Sequence, residues 1–415
     1  MKVSVIGLGY IGLPTAAVLA SRQIEVVGVD VNKHTVDTIN RGQIHIVEPE
    51  LDTLVKTAIN TGHLRATMSP EKADVFMVAV PTPFRGDHEP DLSFIERAVK
   101  SIASVLTKGN IVILESTSPV NTTEKIVEWM QEIRPDLSFP KFGGNGSNVD
   151  ISVAHCPERV LPGQIIRELI ENDRIIGGIT TACAERACDI YKVFVEGDCI
   201  TTDSRTAELS KIVENAFRDV NIAFANELSL VCDKLDIDVW KLIKLANRHP
   251  RVNILQPGPG VGGHCVAVDP WFVVHSAPEE AKLIRTARLV NDEKPKFVLR
   301  KILDEVSKSG KDISKLTISC LGIAFKADID DLRESPAQDI AIEVAKMGFL
   351  NCYIVEPNIE KLPKIFPAKA ILSKAVEAIE KSDIIILLVD HYEFKVLNAS
   401  LLLGKNLIDT RGTFA

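Results

Sequence analysis

The residues best suited to covalent chemistry lie in one stretch, PGPGVGGHCVAVDP, from Pro257 to Pro270. Gly258, Gly260, Gly262 and Gly263 give a backbone that a ligand can approach closely, and Cys265 and Asp269 then supply one thiol and one carboxylate. A thiol at the end of such a loop is a candidate nucleophile, because the thiolate is the reactive form of cysteine. Free cysteines are more often packed as small hydrophobes, but a core residue has no need of a glycine-rich approach. Upstream, Lys211, Asn215 and Arg218 are spaced four and three apart in a stretch with neither Gly nor Pro, so they share one face of a helix. A solvated stripe would explain them; their place just ahead of the cysteine loop favours a polar face turned into a cleft. Arg248, His249 and Arg251 precede the loop, and paired guanidinium groups beside a glycine turn suit a phosphate-bearing substrate. His249 and His264 with Cys265 match no standard ligand spacing, so no metal is expected.

The elements that must position these groups begin at the first residues. Val3–Ile6 is a short apolar run, GLGYIG follows with Gly7, Gly9 and Gly12, and an alanine-rich helical stretch runs from Leu13 to Ser21. A second apolar run, Val26–Val29, ends in Asp30. Strand, glycine turn, helix N-terminus and an acid about 20 residues on form the dinucleotide fingerprint, and the carboxylate favours NAD over NADP. Further apolar runs, Val75–Val80 and Ile111–Glu115, lead into PTP and STSPV, the pattern of a buried parallel sheet whose carboxyl ends face a ligand. Thr82 and Thr117 are therefore placed to contact the cofactor. The segment Lys141–Asn148 reads as a surface loop, and Ile151–Cys156 as a strand running into PERVLPG.

From Thr206 to about Leu235 one helix of roughly 30 residues and roughly 45 Å is expected, apolar on several sides like a buried connecting helix. A second helical region spans Glu279–Ser307. Strand and helix then alternate again from Leu316, with Gly322 opening a turn into FKADIDDLRESP and a helix at Ala337–Met347. This second α/β unit has no complete GxGxxG, and Lys326 and Arg333 are its basic residues best placed to reach an interdomain cleft. The fold class is α/β, two Rossmann-like doubly wound domains joined by a central helical domain, with boundaries at 1–200, 201–310 and 311–415.

Composition excludes several classes. The 415 residues are 46% hydrophobic and 25% charged, ordinary for a globular protein. A net charge of −8 argues against a nucleic-acid surface, and no apolar run is long enough for a membrane helix, so a cytoplasmic location is expected. The eight cysteines include no CxxC pair and resemble neither a disulfide framework nor a zinc site.

Along its whole length the chain resembles the UDP-glucose/GDP-mannose dehydrogenases, through GLGYIGLP, VAVPTP, ESTSPV, CPERVLPG, AELSKIVENAF, GPGVGGHC with Asp269, and GIAFKADIDDLRESP. The resemblance implies double oxidation of the C6 alcohol of a UDP-sugar by two NAD, through a thiohemiacetal and a thioester on Cys265. It implies that Lys211 assists proton transfer or stabilises the developing oxyanion, with Asn215 orienting, and that Asp269 serves the base or water-activating steps. It implies that Glu158 activates water either without a second glutamate or with a bound water network in that glutamate's place. It places Arg159, Val160, Lys211, Asn215, Arg218, His249, Arg251 and Gly262 at the sugar nucleotide, with Arg251 reaching from the partner of a homodimer. Gly7, Gly9, Tyr10, Ile11, Gly12, Asp30, Thr82, Thr117, Lys326 and Arg333 are placed with NAD. UDP-glucose members carry a second glutamate four residues after the position of Glu158, where this chain has Pro162. The PERVLPG form points to an N-acetylated sugar, with UDP-N-acetyl-D-mannosamine first, UDP-N-acetylglucosamine second and UDP-glucose third. A two-electron 3-hydroxyacid dehydrogenase would leave Cys265 and everything after Leu316 without a task, and a non-catalytic NAD sensor would need neither Lys211 nor Cys265.

Overall fold

A computed structural model describes residues 1–414 except 87, 145–148, 162 and 264. The chain forms two compact units, one of Met1–Glu214 with Trp271–Ala277 and one of Asn215–Pro270 with Pro278–Ala415.

The first unit is built on β1 (Lys2–Ile6), β2 (Glu25–Val29), β3 (Leu64–Thr67), β4 (Val75–Val78), β7 (Ile111–Leu114), β8 (Ser152–His155), β9 (Arg174–Gly178) and β10 (Cys199–Asp203). A small antiparallel hairpin, β5 (Phe84–Arg85) and β6 (Glu89–Pro90), stands apart. The sheet order is β10-β9-β8-β7-β4-β1-β2-β3. Strands β4, β7 and β8 are buried at every position, as strands covered by helices on both faces must be. Alternate side chains divide between two cores: Val3, Val5, Met77 and Ile113 join Leu13, Ala16 and Leu19 on one face. Phe76, Val78, Val112 and Leu114 join Ile95, Val99 and Ile126 on the other. The expectation of a parallel sheet needs one correction, since β9 runs antiparallel to β8 and only then pairs in parallel with β10. Neither RIIGG nor CITTD carries the long apolar run that marks a central strand, which is why both went unread.

The second unit holds β11 (Thr317–Leu321), β12 (Asn351–Val355), β13 (Ala370–Leu372), β14 (Ile384–Leu387) and β15 (Asn406–Asp409), in the order β13-β12-β11-β14-β15. All its pairs are parallel. The helix Pro336–Lys346 packs on this sheet; Ser335 caps it through the Gln338 N–H, and Pro336 occupies the first turn, where its missing N–H costs nothing. The helix Lys282–Lys308 carries Pro295 inside it, a position that forfeits one helical hydrogen bond.

The long helix spans Ser204–Lys234, close to its expected limits. It is less buried than expected: Phe217, Phe224 and Val231 are 72%, 58% and 47% exposed. A sequence apolar on all sides reads alike whether every face packs internally or one stripe is left open, so periodicity alone did not separate the two.

Candidate active site

At the carboxyl ends of β1, β2, β4 and β7 the first unit assembles the residues expected to hold a dinucleotide. Gly7 has φ +91°, donates its N–H to the Val29 carbonyl (2.8 Å), and a Cβ there would lie 2.5 Å from the Ala79 oxygen. A Cβ on Gly12 would lie 1.8 Å from the Gly7 oxygen, so both glycines are demanded by packing. Gly9 has nothing within 4 Å of a built Cβ, which is room that a pyrophosphate can use. The helix Gly12–Ser21 starts with no side-chain cap and no acid in its first turn. The Leu13 and Thr15 N–H groups bond the Gly9 and Ile11 carbonyls and Pro14 has none, so the Gly12 N–H and the positive end of the helix are what face an anion. Asp30 accepts from the N–H of Leu8 (3.0 Å) and of Asn32 (2.8 Å) and remains half-buried. The Thr82 hydroxyl donates to the Thr117 carbonyl at 2.5 Å, which joins the two threonine-bearing strand ends. Tyr10 is exposed and Ile11 half-buried beside them. The crevice opens where the strand order reverses about β1, the place a dinucleotide occupies in such sheets. These features fit NAD.

Beyond β8 lie Glu158, Arg159 and Val160. Glu158 is buried and held through both oxygens, by Arg174 Nη1 (2.5 Å) and by the Arg159 N–H (2.7 Å). The Arg159 side chain donates to Glu214 (2.9 Å) and to the Asp173 carbonyl (2.6 Å). Glu115 accepts from the Tyr191 hydroxyl at 2.7 Å; burial, and then the nearby charge of Glu158, pushes its carboxyl up to about 7. Burial also drives the Cys156 thiol far above its ordinary range, which leaves it inert, whereas Cys265 is exposed. Lys211 is buried on the long helix. One turn earlier Glu208 accepts from the Asn121 N–H and from the Thr123 N–H and hydroxyl, tying the long helix to the start of the helix Thr122–Ile133, and burial raises its carboxyl to about 7. Pro162 and His264 lie outside the described residues, as does the 145–148 part of the expected loop.

In the second unit the structure brings together Asn215, Asp269 and Cys265. Asn215 Nδ2 donates to Asp269 Oδ2 at 2.6 Å, and the Asp269 N–H donates to the Cys265 carbonyl at 2.8 Å. Asp269 is buried at 3% exposure, so its carboxylate is fixed by design of the fold and shielded from bulk water. The glycine run lies on the segment that carries Lys326 and Arg333: a Cβ on Gly262 would sit 2.4 Å from the Glu334 carbonyl, and one on Gly263 2.9 Å from the Phe325 ring. Arg333 is ion-paired with Asp331 (2.6 Å). Arg218, His249 and Arg251 are exposed, with the Arg251 N–H reaching His249 Nδ1 at 3.3 Å.

Sequence reading missed two arginines. Arg174, which neutralises Glu158, stood in NDRIIGG with no motif around it. Arg411 follows the last strand, with Nη1 2.6 Å from where a Gly258 Cβ would lie, and its place at a parallel strand's carboxyl end was a usable signal.

Family models cover nearly the whole chain: the NAD binding domain of the UDP-glucose/GDP-mannose dehydrogenase family over residues 1–195, its central domain over 205–293 and its UDP binding domain over 319–415. The chain belongs to the UDP-glucose/GDP-mannose dehydrogenase family, and its first unit carries the NAD site. It is 62% identical to a UDP-N-acetyl-D-mannosamine dehydrogenase of Campylobacter jejuni over 95% of this chain and 96% of that one. It is 58% identical to an NDP-N-acetyl-D-galactosaminuronic acid dehydrogenase of Ralstonia nicotianae, over 100% and 96%. The solved structure of a UDP-D-ManNAc dehydrogenase from Pyrococcus horikoshii superimposes with a TM-score of 0.86 at 37% identity, covering 100% of this chain and 96% of that one. Among the described residues no helix is long and apolar enough to cross a membrane.

Proposed function

We propose that this chain oxidises the C6 alcohol of UDP-N-acetyl-D-mannosamine to the uronate, using two NAD and a covalent intermediate on Cys265. The observation that carries the reading is an exposed thiol whose carbonyl is held by Asp269, itself bonded to Asn215 at 2.6 Å. Bound NAD supplies the acceptor for each hydride. Cys265 adds to the aldehyde as a thiohemiacetal, which keeps the reactive carbonyl from escaping between the two oxidations. Lys211 carries the alcohol proton and steadies the developing oxyanion, Asn215 orients the reacting oxygen, and Asp269 assists the proton steps. Glu158, fixed by Arg174, serves water attack on the thioester. Arg159, Val160, Arg218, His249, Arg251 and Gly262 contact the sugar nucleotide, and Lys326 and Arg333 complete the cofactor contacts. Curated relatives with N-acetylated sugars in their names favour an N-acetylated substrate, and the mannosamine enzymes favour that epimer.

Three functional domains, 1–200, 201–310 and 311–415, divide these tasks. The protein works in the cytoplasm as a homodimer; Phe217, Phe224 and Val231, exposed at intervals of seven along the long helix, support pairing of that helix with its copy. NADH formed per sugar consumed tests the chemistry. Two NADH per UDP-N-acetyl-D-mannosamine, with little turnover of UDP-N-acetylglucosamine or UDP-glucose, is expected, and Cys265→Ser should stall after the first oxidation. A single NADH per sugar with an unaffected Cys265→Ser enzyme would end the covalent reading.

A further inference from the structure

We propose that Asp219, Asn291 and Asn226 form a buried positioning relay that fixes the start of the cysteine loop, a reading that rests on Cys265 being the nucleophile. The Gly258 N–H donates to Asn226 Oδ1 (2.9 Å), and Asn226 Nδ2 donates to Asn291 Oδ1 (2.8 Å). Asn291 Nδ2 donates in turn to Asp219 Oδ1 (2.8 Å) and to the Asp219 carbonyl (3.1 Å). Arg288 Nη1 closes the far end on the same Asp219 oxygen at 2.6 Å. Asp219, Asn226, Asn291 and Arg288 are each 2% exposed or less.

The polarity of this chain of bonds is set from the carboxylate end. A carboxylate only accepts, so Asn291 must turn its amide nitrogen to Asp219 and its oxygen to Asn226. Asn226 then has to present its nitrogen to Asn291, and its own oxygen faces the loop, where a backbone N–H waits. The amide orientations follow from this matching of donors to acceptors. Burial pushes the Asp219 carboxyl up, and the Arg288 guanidinium and the Asn291 amide act against that rise.

The loop needs such an anchor. Among the described residues from Leu255 to Gly263, Gly258 is the one whose main-chain N–H makes a hydrogen bond. The glycines there impose little conformational preference of their own. Downstream, the Asp269 N–H holds the Cys265 carbonyl, so the thiol-bearing segment is pinned at both ends. Between the pins the run rests on side-chain surfaces: built Cβ atoms on Gly260 would meet Pro336 at 2.8 Å and Pro295 at 3.2 Å. Pro295 and Asn291 belong to the same helix, Lys282–Lys308, so one helix supplies both the floor of the loop and the middle of the relay. Among the described residues Arg288 Nε and Asp219 Oδ2 make no hydrogen bond, but from Asp219 Oδ1 through both amides to the Gly258 N–H each donor meets an acceptor. Such matched buried bonds rigidify what they touch, and a reacting atom displaced by about 1 Å can cost about a hundredfold in rate.

Asn226→Asp is the discriminating change, because it keeps the shape and turns the donor facing Asn291 into an acceptor. Leaving a buried pair mismatched costs enough to lower kcat by about tenfold or more, while KM for NAD stays within about twofold of wild type. A variant that only weakened the fold would lower the thermal midpoint and the active fraction, so kcat is taken per active site, counted by NAD titration of the folded enzyme. On that basis a merely weakened fold leaves kcat at the wild-type value. Because Pro257 and Pro259 carry no amide proton, hydrogen exchange at Gly258 reads the anchor directly in the unaltered protein, and strong protection there is expected. An unprotected Gly258 amide, or an Asn226→Asp enzyme with wild-type kcat, would overturn the relay. Cys265→Ser run beside it separates the two readings. If that enzyme still yields two NADH per sugar, the nucleophile is lost and this proposal with it; if it stalls while Asn226→Asp behaves as wild type, the relay alone falls.

Discussion

The two sheets lay out their first strands in the same way and then use the result differently. In each, the first strand of the unit is followed at once by a glycine of positive φ, Gly7 at +91° and Gly322 at +85°, whose N–H donates to the carbonyl of the last residue of the next strand, Val29 or Val355. In each, an acid stands one residue further on, Asp30 or Glu356. The first turn passes into a helix at Gly12, and Asp30 stays half-buried with two N–H partners. The second runs through Phe325–Arg333 before its helix at Pro336. There Glu356 is consumed: its Oε2 takes the N–H groups of Ile323 (2.8 Å) and Ala324 (3.0 Å) and His391 Nε2 (3.1 Å). Since His391 Nδ1 accepts from the Asp328 N–H, its proton sits on Nε2 and points at the carboxylate. Shared topology thus delivers an acid to the same spot twice, and its local partners decide whether it is left for a ribose or spent on the turn.

The sharpest break of this comparison is Glu356→Ala, which strands three buried donors together and should cost the second unit more than about 4 kcal/mol. Denaturant unfolding, or hydrogen exchange in β11 and β12, reads the loss. Burial raises the Glu356 carboxyl, but His391 and the two backbone N–H groups outweigh it, so the folded group lies below its ordinary range. Its stabilisation is therefore present above about pH 4.5 and is lost as pH falls through the folded value, and the alanine variant should lack that acid limb. Wild-type stability of the second unit in Glu356→Ala would show that the turn needs no clamp.

Glu115, which follows β7 as Asp30 follows β2, gives the opposite sign. Its folded pKa, about 7, lies above the ordinary 4.5, so between these values the folded form retains a proton that the unfolded form has released. Stability therefore declines as pH rises from about 4.5 to about 7, by up to about 3 kcal/mol. Glu115→Gln should flatten that decline and be relatively more stable at pH 8 than at pH 5; parallel curves for the two proteins would place the proton elsewhere.

What the sequence made legible follows from how local each signal is. GLGYIG with Asp30 could be read because apolar run, glycine and acid sit within thirty residues and obey one geometry. The limits of the long helix were readable for the same reason, whereas its open face was not, since solvent exposure depends on what else packs there. Cys265 and Asp269 announced themselves by spacing. Their tie to Asn215 spans 54 positions, and the Asn226–Asn291 bond spans 65, distances over which one sequence carries no pairing signal. Arg174 stayed hidden because its partner, Glu158, is met only when β9 folds back antiparallel to β8.

The smallest of the three effects bears most directly on the comparison. Asp30→Ala removes the acid proposed to face the ribose, and the NAD dissociation constant should rise about tenfold, the worth of one good hydrogen bond to a charged group. The same change removes the repulsion of a 2′-phosphate, so discrimination between NAD and NADP should shrink as well. Asp30 also accepts from the N–H groups of Leu8 and Asn32, so Asp30→Asn, which keeps an acceptor, controls for a disturbed turn. Titration calorimetry with NAD, NADP and UDP separates the terms, because UDP affinity should not move. If NAD affinity survives in both variants, Asp30 is a turn clamp like Glu356, and the two strand-end acids differ in burial but not in task.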